Sequence, residues 1–197
     1  MPRRVEILRQ EITYQKFFFT IEEARFRHEL YNGEMSDELT RLSLERGDSA
    51  AVVLYDKVHK NVILTEQFRY PAYKKGPGWL LEIPAGTVED DEDGHPDLTM
   101  RREIMEEIGY NVKTSLRKVM TFYVSPGGTS ERIHLYYATA TPKDRVGSGG
   151  GVLGEGEDIR VLAVQLNTAL KYIAEGKIVD AKSIIGLQWL QLNVSQL

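Results

Sequence analysis

The sequence predicts an α+β fold, a mixed β-sheet held between helices and extended at its N-terminus by a further antiparallel β-sheet. Three observations carry this expectation. The apolar runs Ala50-Ala51-Val52-Val53-Leu54-Tyr55 and Val62-Ile63-Leu64-Thr65, on either side of a turn over residues 56–61, read as buried central strands. Pro96 to Ile108 has the logic of a helix, with proline suited to the first turn and Gly109 following as a stop. The first 46 residues alternate β-branched, aromatic and charged side chains, as in Val5-Glu6-Ile7-Leu8 and Phe18-Phe19-Thr20-Ile21, the pattern of short strands with one wet face.

The remaining elements follow in order. Tyr31-Asn32-Gly33-Glu34 is a turn, since Asn-Gly tolerates positive φ, and it predicts that Phe26 to Leu30 pairs with Glu38 to Leu44 as a hairpin or meander. Prolines and glycines make Tyr70 to Gly78 a loop, and Trp79 to Pro84 a short strand. Met120 to Val124 and Ile133 to Ala138 read as strands around the turn Ser125-Pro126-Gly127-Gly128. Six glycines in the ten positions from Gly147 to Gly156 predict a mobile loop. Ile159 to Val164 is then a strand, and Asn167 to Glu175 and Ala181 to Leu192 are helices.

At 197 residues the chain suits one domain with a modest extension, which divides the expectation into an N-terminal β extension, 1–46, and a larger domain, 47–197. No apolar run reaches the roughly 18 residues needed to cross a bilayer and the first residues lack a signal-peptide stretch, so the expected compartment is the cytoplasm. With no cysteine, disulfides, thiolate catalysis and cysteine-bound zinc are excluded, leaving oxygen and imidazole as metal ligands. A net charge of −4 argues against a broad nucleic-acid-binding surface.

The sharpest feature is the acidic helix. Glu103 and Glu107 stand four residues apart and Glu106 three from Glu103, so three carboxylates crowd one helical face. They also fall in the last two turns, where the negative end of the helix dipole disfavours them by a few tenths of a kcal/mol each. A solvated acidic face is the ordinary explanation of a Glu-rich helix. Clustered carboxylates at the unfavourable end are better explained by a divalent cation such as Mg²⁺, a hard ion that keeps water and substrate phosphates in its shell. Arg102, four residues before Glu106, is placed to hold that carboxylate.

The series from Gly86 through the acidic loop to Arg102-Glu103-Ile104-Met105-Glu106-Glu107-Ile108-Gly109 resembles the Nudix box. In that family the spacing runs Gly, five residues, Glu, seven residues, Arg-Glu. Five residues separate Gly86 from Glu92, but nine separate Glu92 from Arg102, so two extra residues lie in the loop and the role of Glu92 is open. The resemblance implies an α/β/α sandwich with a mixed β-sheet and hydrolysis of a nucleoside diphosphate linked to another group. Pro126 lies sixteen residues after Tyr110, a spacing similar to that of the ADP-ribose pyrophosphatases of the family. Arg25 to Gly33, Leu44 to Gly47, Trp79 to Glu82, Gly156 to Val161 and Leu187 to Leu192 resemble the same branch, so the likeness spans nearly the whole chain. Ile133 to Ala138 and Gly149-Gly150-Gly151 also resemble the GDP-mannose hydrolases of the subfamily.

What the resemblance implies can be stated residue by residue. Glu103, Glu107, the carbonyl of Ala85 and Glu157 would hold Mg²⁺, or Mn²⁺ in its place, with Glu106 completing or supporting the set. Glu155 would be the catalytic base. Arg69 would contact phosphate, Phe18 would stack on the base with Arg41 beside it, and Pro126 would mark the substrate site. The expected assembly is a domain-swapped homodimer in which the N-terminal sheet helps to build the partner's nucleoside site. Each residue has a plainer alternative: Phe18 as core or interface, Arg41 as a surface charge, Arg69 as a salt-bridge partner, Pro126 as part of a plain Pro-Gly turn, and Glu155 and Glu157 as a disordered acidic tip. ADP-ribose, cleaved to AMP and ribose 5-phosphate, is the expected substrate, with GDP-mannose or another nucleotide sugar as the alternative. A non-catalytic nucleotide-sugar sensor would be favoured by broken glutamates, and here they are intact. A decapping or nucleotide-cleaning enzyme lacks the basic stripe it would need.

Overall fold

The structure is a computed structural model that describes residues 3–88, 95–152, 154 and 156–197. Two of the residues singled out above, Glu92 and Glu155, lie outside the described residues. The chain forms two compact units, one of residues 1–48 with 123–132 and one of residues 49–122 with 133–197.

In the smaller unit β1 (Val5–Lys16), β2 (Phe19–His28) and β3 (Leu39–Glu45) form an antiparallel sheet in the order β1-β2-β3. The antiparallel pairing expected around Asn32-Gly33 is present but shifted: Leu39 to Glu45 pairs with Thr20 to Phe26 rather than with Phe26 to Leu30, and nearer the turn Glu29 bridges to Met35. Strands β1 and β2 are twelve and ten residues long, longer than the short strands expected. Phe18 is not in a strand. It sits with Phe17 in the two-residue turn between Lys16 and Phe19, where Phe17 takes φ 55°, an unusual conformation for a bulky side chain. Nothing in the composition of Lys16-Phe17-Phe18-Phe19 signals such a turn, since it lacks the glycine or asparagine that ordinarily fills it. Residues 125–132 join this unit through Leu44, whose N–H donates to the Gly128 carbonyl at 2.9 Å and whose carbonyl accepts from Thr129 Oγ1 at 2.9 Å. Arg132 grips both oxygens of Asp48, at 2.6 Å from Nη2 to Oδ2 and 3.2 Å from Nε to Oδ1.

The larger unit is built around β4 (Ser49–Asp56), all eight residues of which are buried. It adds β5 (Asn61–Phe68), a helical turn α1 (Tyr70–Tyr73), β6 (Trp79–Glu82), β7 (Ala85–Thr87), α2 (Pro96–Ile108), β8 (Arg117–Tyr123), β9 (Arg132–Thr139), β10 (Arg160–Gln165), α3 (Leu166–Ala174) and α4 (Ala181–Asn193). The sheet runs β10-β5-β4-β9-β8, with β6 on β5 and β7 on β4, and it is mixed because β4 and β9 are parallel while β4 and β5 are antiparallel. Alternate residues of β4 enter two cores. Ala51, Val53 and Tyr55 pack with residues of α3 and α4, whereas Ala50, Val52 and Leu54 pack with Met100, Ile104 and Ile108 of α2. An unbroken apolar strand is what two covered faces require, and the result is an α/β/α sandwich.

One edge of β4 is taken by β9 from Ser49 to Tyr55. The other is divided: β7 pairs with Ser49 to Ala51, Val52 N–H donates to Pro84, and β5 pairs only with Tyr55 and Asp56. Strands β4 and β5 therefore splay, and the segment Trp79 to Thr87 fills the gap, β6 on one side and β7 on the other. The three-residue β7 was not legible as a strand in the sequence, because Ala85-Gly86-Thr87 has no periodicity to read. Neither was α1, hidden in a stretch expected to be loop, where Pro71 occupies the helix start.

Candidate active site

Helix α2 spans the residues expected of it, with Pro96 in its first turn and Gly109 beyond its last residue at φ 70°. Its buried stripe of Met100, Ile104 and Ile108 fixes which way the helix faces, and Glu107, one position before Ile108, is carried inward with it. Glu107 is 2% exposed. Its Oε2 accepts from the backbone N–H of Ala85 at 3.1 Å, tying the helix to the start of β7. Glu103 lies one turn earlier over Gly86. A Cβ on residue 86 would fall 2.2 Å from the Glu103 carboxyl carbon, so any side chain there would push the Glu103 carboxylate out of its present position. Arg102 lies near two carboxylates, with Nη2 3.7 Å from Glu103 and Nε 4.0 Å from Glu106.

These residues surround a cleft of about 340 Å³ lined by Arg69, Ala85, Gly86, Thr87, Arg102, Glu103, Glu106, Glu107 and Glu157. Of the residues expected from the sequence, seven are thus together: Ala85, Glu103, Glu106, Glu107, Glu157, Arg102 and Arg69. Phe18, Arg41 and Pro126 belong to the smaller unit. Phe18 is exposed there, and Arg41 on β3 donates to the carbonyl of Thr40 at 2.8 Å.

Burial is the main cause, and the neighbouring Glu103 charge the next, that push the Glu107 carboxyl up to about 8; the Ala85 N–H and the Arg69 guanidinium act the other way. A buried carboxylate whose charged form is disfavoured by burial and by a neighbouring carboxylate is one that a nearby cation would stabilise. The donors fit a hard divalent ion: carboxylate oxygens on one helix face, the peptide of Ala85 opposite, and an open side towards the cleft. Among the described residues no group of three or more acidic or histidine side chains converges closely enough to hold a metal ion by itself.

The glycine-rich loop differs from expectation. Its first half is not loose: Gly147 N–H donates to Gly109, Gly150 N–H to the Glu107 carbonyl at 2.9 Å, and Gly151 N–H to the Glu106 carbonyl at 3.2 Å. The end of α2 leaves carbonyls without helical partners, and this loop supplies the donors. Gly149, at φ 67°, approaches so closely that a Cβ would lie 2.4 Å from the Glu107 oxygen. The glycines serve contact with the helix rather than freedom alone. Glu157 then turns back, accepting from Val152 N–H at 3.0 Å while lining the cleft.

Sequence reasoning missed a set of charges behind Arg69. Glu82 Oε2 accepts from Arg69 Nε at 2.9 Å, and Glu82 Oε1 accepts from Lys182 Nζ at 2.6 Å. A carboxylate inside the apolar run Leu80-Leu81-Glu82-Ile83 was the available signal, but its second partner, Lys182, is 100 residues away.

The sequence profile of the NUDIX domain matches residues 45–181. The chain is 42% identical over 190 residues to an ADP-ribose pyrophosphatase of Escherichia coli strain K12, an alignment covering 96% of this chain and 88% of that protein. It is 40% identical over 198 residues to an ADP-ribose pyrophosphatase of Haemophilus influenzae, covering 98% and 88%. A GDP-mannose pyrophosphatase of Cronobacter sakazakii is 38% identical over 199 residues, covering 98% of each chain. Among solved structures, one described as an ADP compounds hydrolase superposes with a TM-score of 0.72 at 17% identity, covering 96% of both chains, which shows a shared fold. With the box glutamates gathered around one cleft in a mixed-sheet sandwich and these relatives aligned along nearly its whole length, the chain belongs to the Nudix family and is a hydrolase.

Proposed function

We propose that the protein hydrolyses the pyrophosphate bond of a nucleoside diphosphate sugar, with ADP-ribose as the substrate and AMP and ribose 5-phosphate as the products. The observation that carries the reaction is the pairing, in one cleft, of a carboxylate cluster for cations with a guanidinium for phosphate. ADP-ribose is favoured by the relatives at 40 to 42% identity.

Glu103, Glu107, the carbonyl of Ala85 and Glu157 would hold Mg²⁺, with Glu106 in support and Arg102 orienting it. When bound there, divalent cations neutralise phosphate charge and make a water acidic enough to attack near neutral pH. Arg69 holds a phosphate in place. Water oxygen bonds to one phosphorus, the bridging P–O bond breaks, and the proton passes to a carboxylate, for which Glu155 is the proposed base. The bridging oxygen leaves on the other phosphate. Phe18 and Arg41 would meet the base of the nucleotide and Pro126 the rest of the substrate, in a homodimer that shares its N-terminal sheets. That sheet exposes Val5, Ile7, Ile12 and Tyr14, and its first turn exposes Phe18, an apolar area that a second copy would cover.

A second reading, GDP-mannose as substrate, is favoured by the Cronobacter sakazakii relative, which aligns over 98% of each chain. Rates with ADP-ribose, GDP-mannose, UDP-glucose and NADH, each with Mg²⁺, test both. ADP-ribose is expected to give the highest kcat/KM. A tenfold preference for GDP-mannose, about 1.4 kcal/mol in transition-state binding, would replace the substrate and keep the chemistry.

A further inference from the structure

The charges behind Arg69 form a closed path. Glu82, 3% exposed, divides its carboxylate between Arg69 Nε and Lys182 Nζ. Lys182, in the first turn of α4, also donates to Asp180 Oδ1 at 3.0 Å. The second Asp180 oxygen caps α4, accepting from Ser183 N–H at 2.9 Å and from Ser183 Oγ at 2.6 Å. Ser183 Oγ accepts in turn from Ile83 N–H at 2.8 Å, which returns the path to the residue after Glu82.

Burial alone would push the Lys182 ammonium down, but Glu82 and Asp180 together more than offset it and hold its pKa above the ordinary value. Its side chain is 12% exposed, and that of Glu82 is 4%. Buried ion pairs of this kind add little to stability compared with apolar side chains of the same volume. Orientation is what the arrangement supplies. Arg69 is offered to Glu82 through Nε while its guanidinium lines the cleft, and neither Glu82 nor Lys182 is among the lining residues. Were Arg69 the sole partner of Glu82, the guanidinium would serve mainly as that carboxylate's counter-ion. A second cation on the other oxygen leaves its positive charge available to an incoming anion.

We infer that Lys182 is a positioning residue: by sharing the Glu82 carboxylate with Arg69, it keeps the guanidinium aimed at the cleft and electrostatically available to a substrate phosphate. The inference rests on the reading of Arg69 as a phosphate contact.

The test uses the full-length protein, with ADP binding measured by calorimetry in EDTA as the probe and ADP-ribose kinetics with Mg²⁺ beside it. Arg69→Gln is expected to weaken ADP binding, which checks the underlying reading by itself. Lys182→Met is expected to raise both the Kd for ADP and the KM about tenfold with kcat within about twofold, and Lys182→Arg to restore most of the loss. Glu82→Gln keeps an acceptor for Arg69 Nε but removes the competing charge, so it is expected to shift the Kd the opposite way. If Lys182→Met does not fold, this opposite shift carries the test, and an unchanged Kd in Glu82→Gln then overturns the inference. A folded Lys182→Met protein with a lower Tm but wild-type Kd and KM makes the lysine merely structural and also overturns it, leaving the Arg69 reading intact. Wild-type ADP affinity in Arg69→Gln overturns both.

Discussion

The backbone N–H of Gly150 donates to the carbonyl of Glu107 at 2.9 Å, so the residue that presents its carboxylate to the cleft has its peptide held by the glycine-rich loop. The loop bearing Glu157 and the helix bearing Glu103, Glu106 and Glu107 are joined at that bond. Gly149→Ala should therefore damage the site from outside it. Its Cβ would meet the Glu107 oxygen and its φ of 67° is strained for alanine, so the Tm should fall by several degrees and kcat/KM at least tenfold. Gly154→Ala, with nothing within 4 Å and no positive φ, should be neutral. Equal effects of the two would dismiss the anchor.

Glu107→Gln should abolish hydrolysis and yet stabilise the protein without metal. The carboxyl titrates near 8 in the folded chain against an ordinary value of 4.5, so the fold favours its neutral form. This contribution is fully present below the unfolded value of about 4.5 and is lost as pH rises through about 8. In EDTA the Tm of the variant should thus exceed that of wild type increasingly between pH 5 and pH 8, reflecting a stability difference on the order of a few kcal/mol at most. Parallel melting curves across that range would reject the buried, uncompensated carboxylate.

The acidic residues of the loop separate by the parameter they alter. A base acts on the chemical step, worth ~10²–10⁴-fold, whereas a ligand acts on metal affinity. Glu155→Gln should lower kcat with a near-normal Mg²⁺ requirement, and Glu157→Gln should raise the Mg²⁺ concentration giving half-maximal rate. The reverse pattern exchanges their roles. Changes below twofold in both make the loop only a tether and move the search for the base to Glu106, to Glu131, a buried carboxylate 3.3 Å from Arg46, or to a metal-bound hydroxide acting without one.

If two copies pair through the N-terminal sheet as proposed, Ile12→Lys, at a side chain 61% exposed in the long strand β1, should yield a monomer in analytical ultracentrifugation and reduce activity with it. An active monomer would remove the N-terminal sheet from the nucleoside site.

What could be read in advance follows from the range of the physics involved. Helix α2 was legible to the residue because its signals are local, Pro96, the 3.6-residue apolar stripe and Gly109. The strands β4 and β5 were legible from apolar runs alone. The cluster Glu103, Glu106, Glu107 followed from helical spacing, but its depth did not: the 2% exposure of Glu107 comes from docking against β7, an element with no sequence signature. Glu82 and Lys182 were invisible for the same reason, being paired only by the fold. The glycine-rich loop misled because glycine serves close approach as well as freedom, and composition does not tell them apart. Phe17 and Phe18 misled because a turn there contradicts the preference of both residues.

The divided edge of β4 sets how the enzyme is expected to fail on heating. The parallel ladder of β4 with β9 lies on the edge opposite the segment from Trp79 to Thr87. Within that segment Ile83 is anchored in the core that faces α3 and α4, so it is the β7 end alone, with the Ala85 peptide and the Gly86 cradle beneath Glu103, whose local opening would disturb the proposed site. Inactivation should then precede global melting, as a reversible loss of turnover several degrees below the Tm, slowed by anything that bridges α2 to β7. The seam would make the floor of the proposed site a separately detachable part of the sandwich, so that local loosening and loss of function would coincide there.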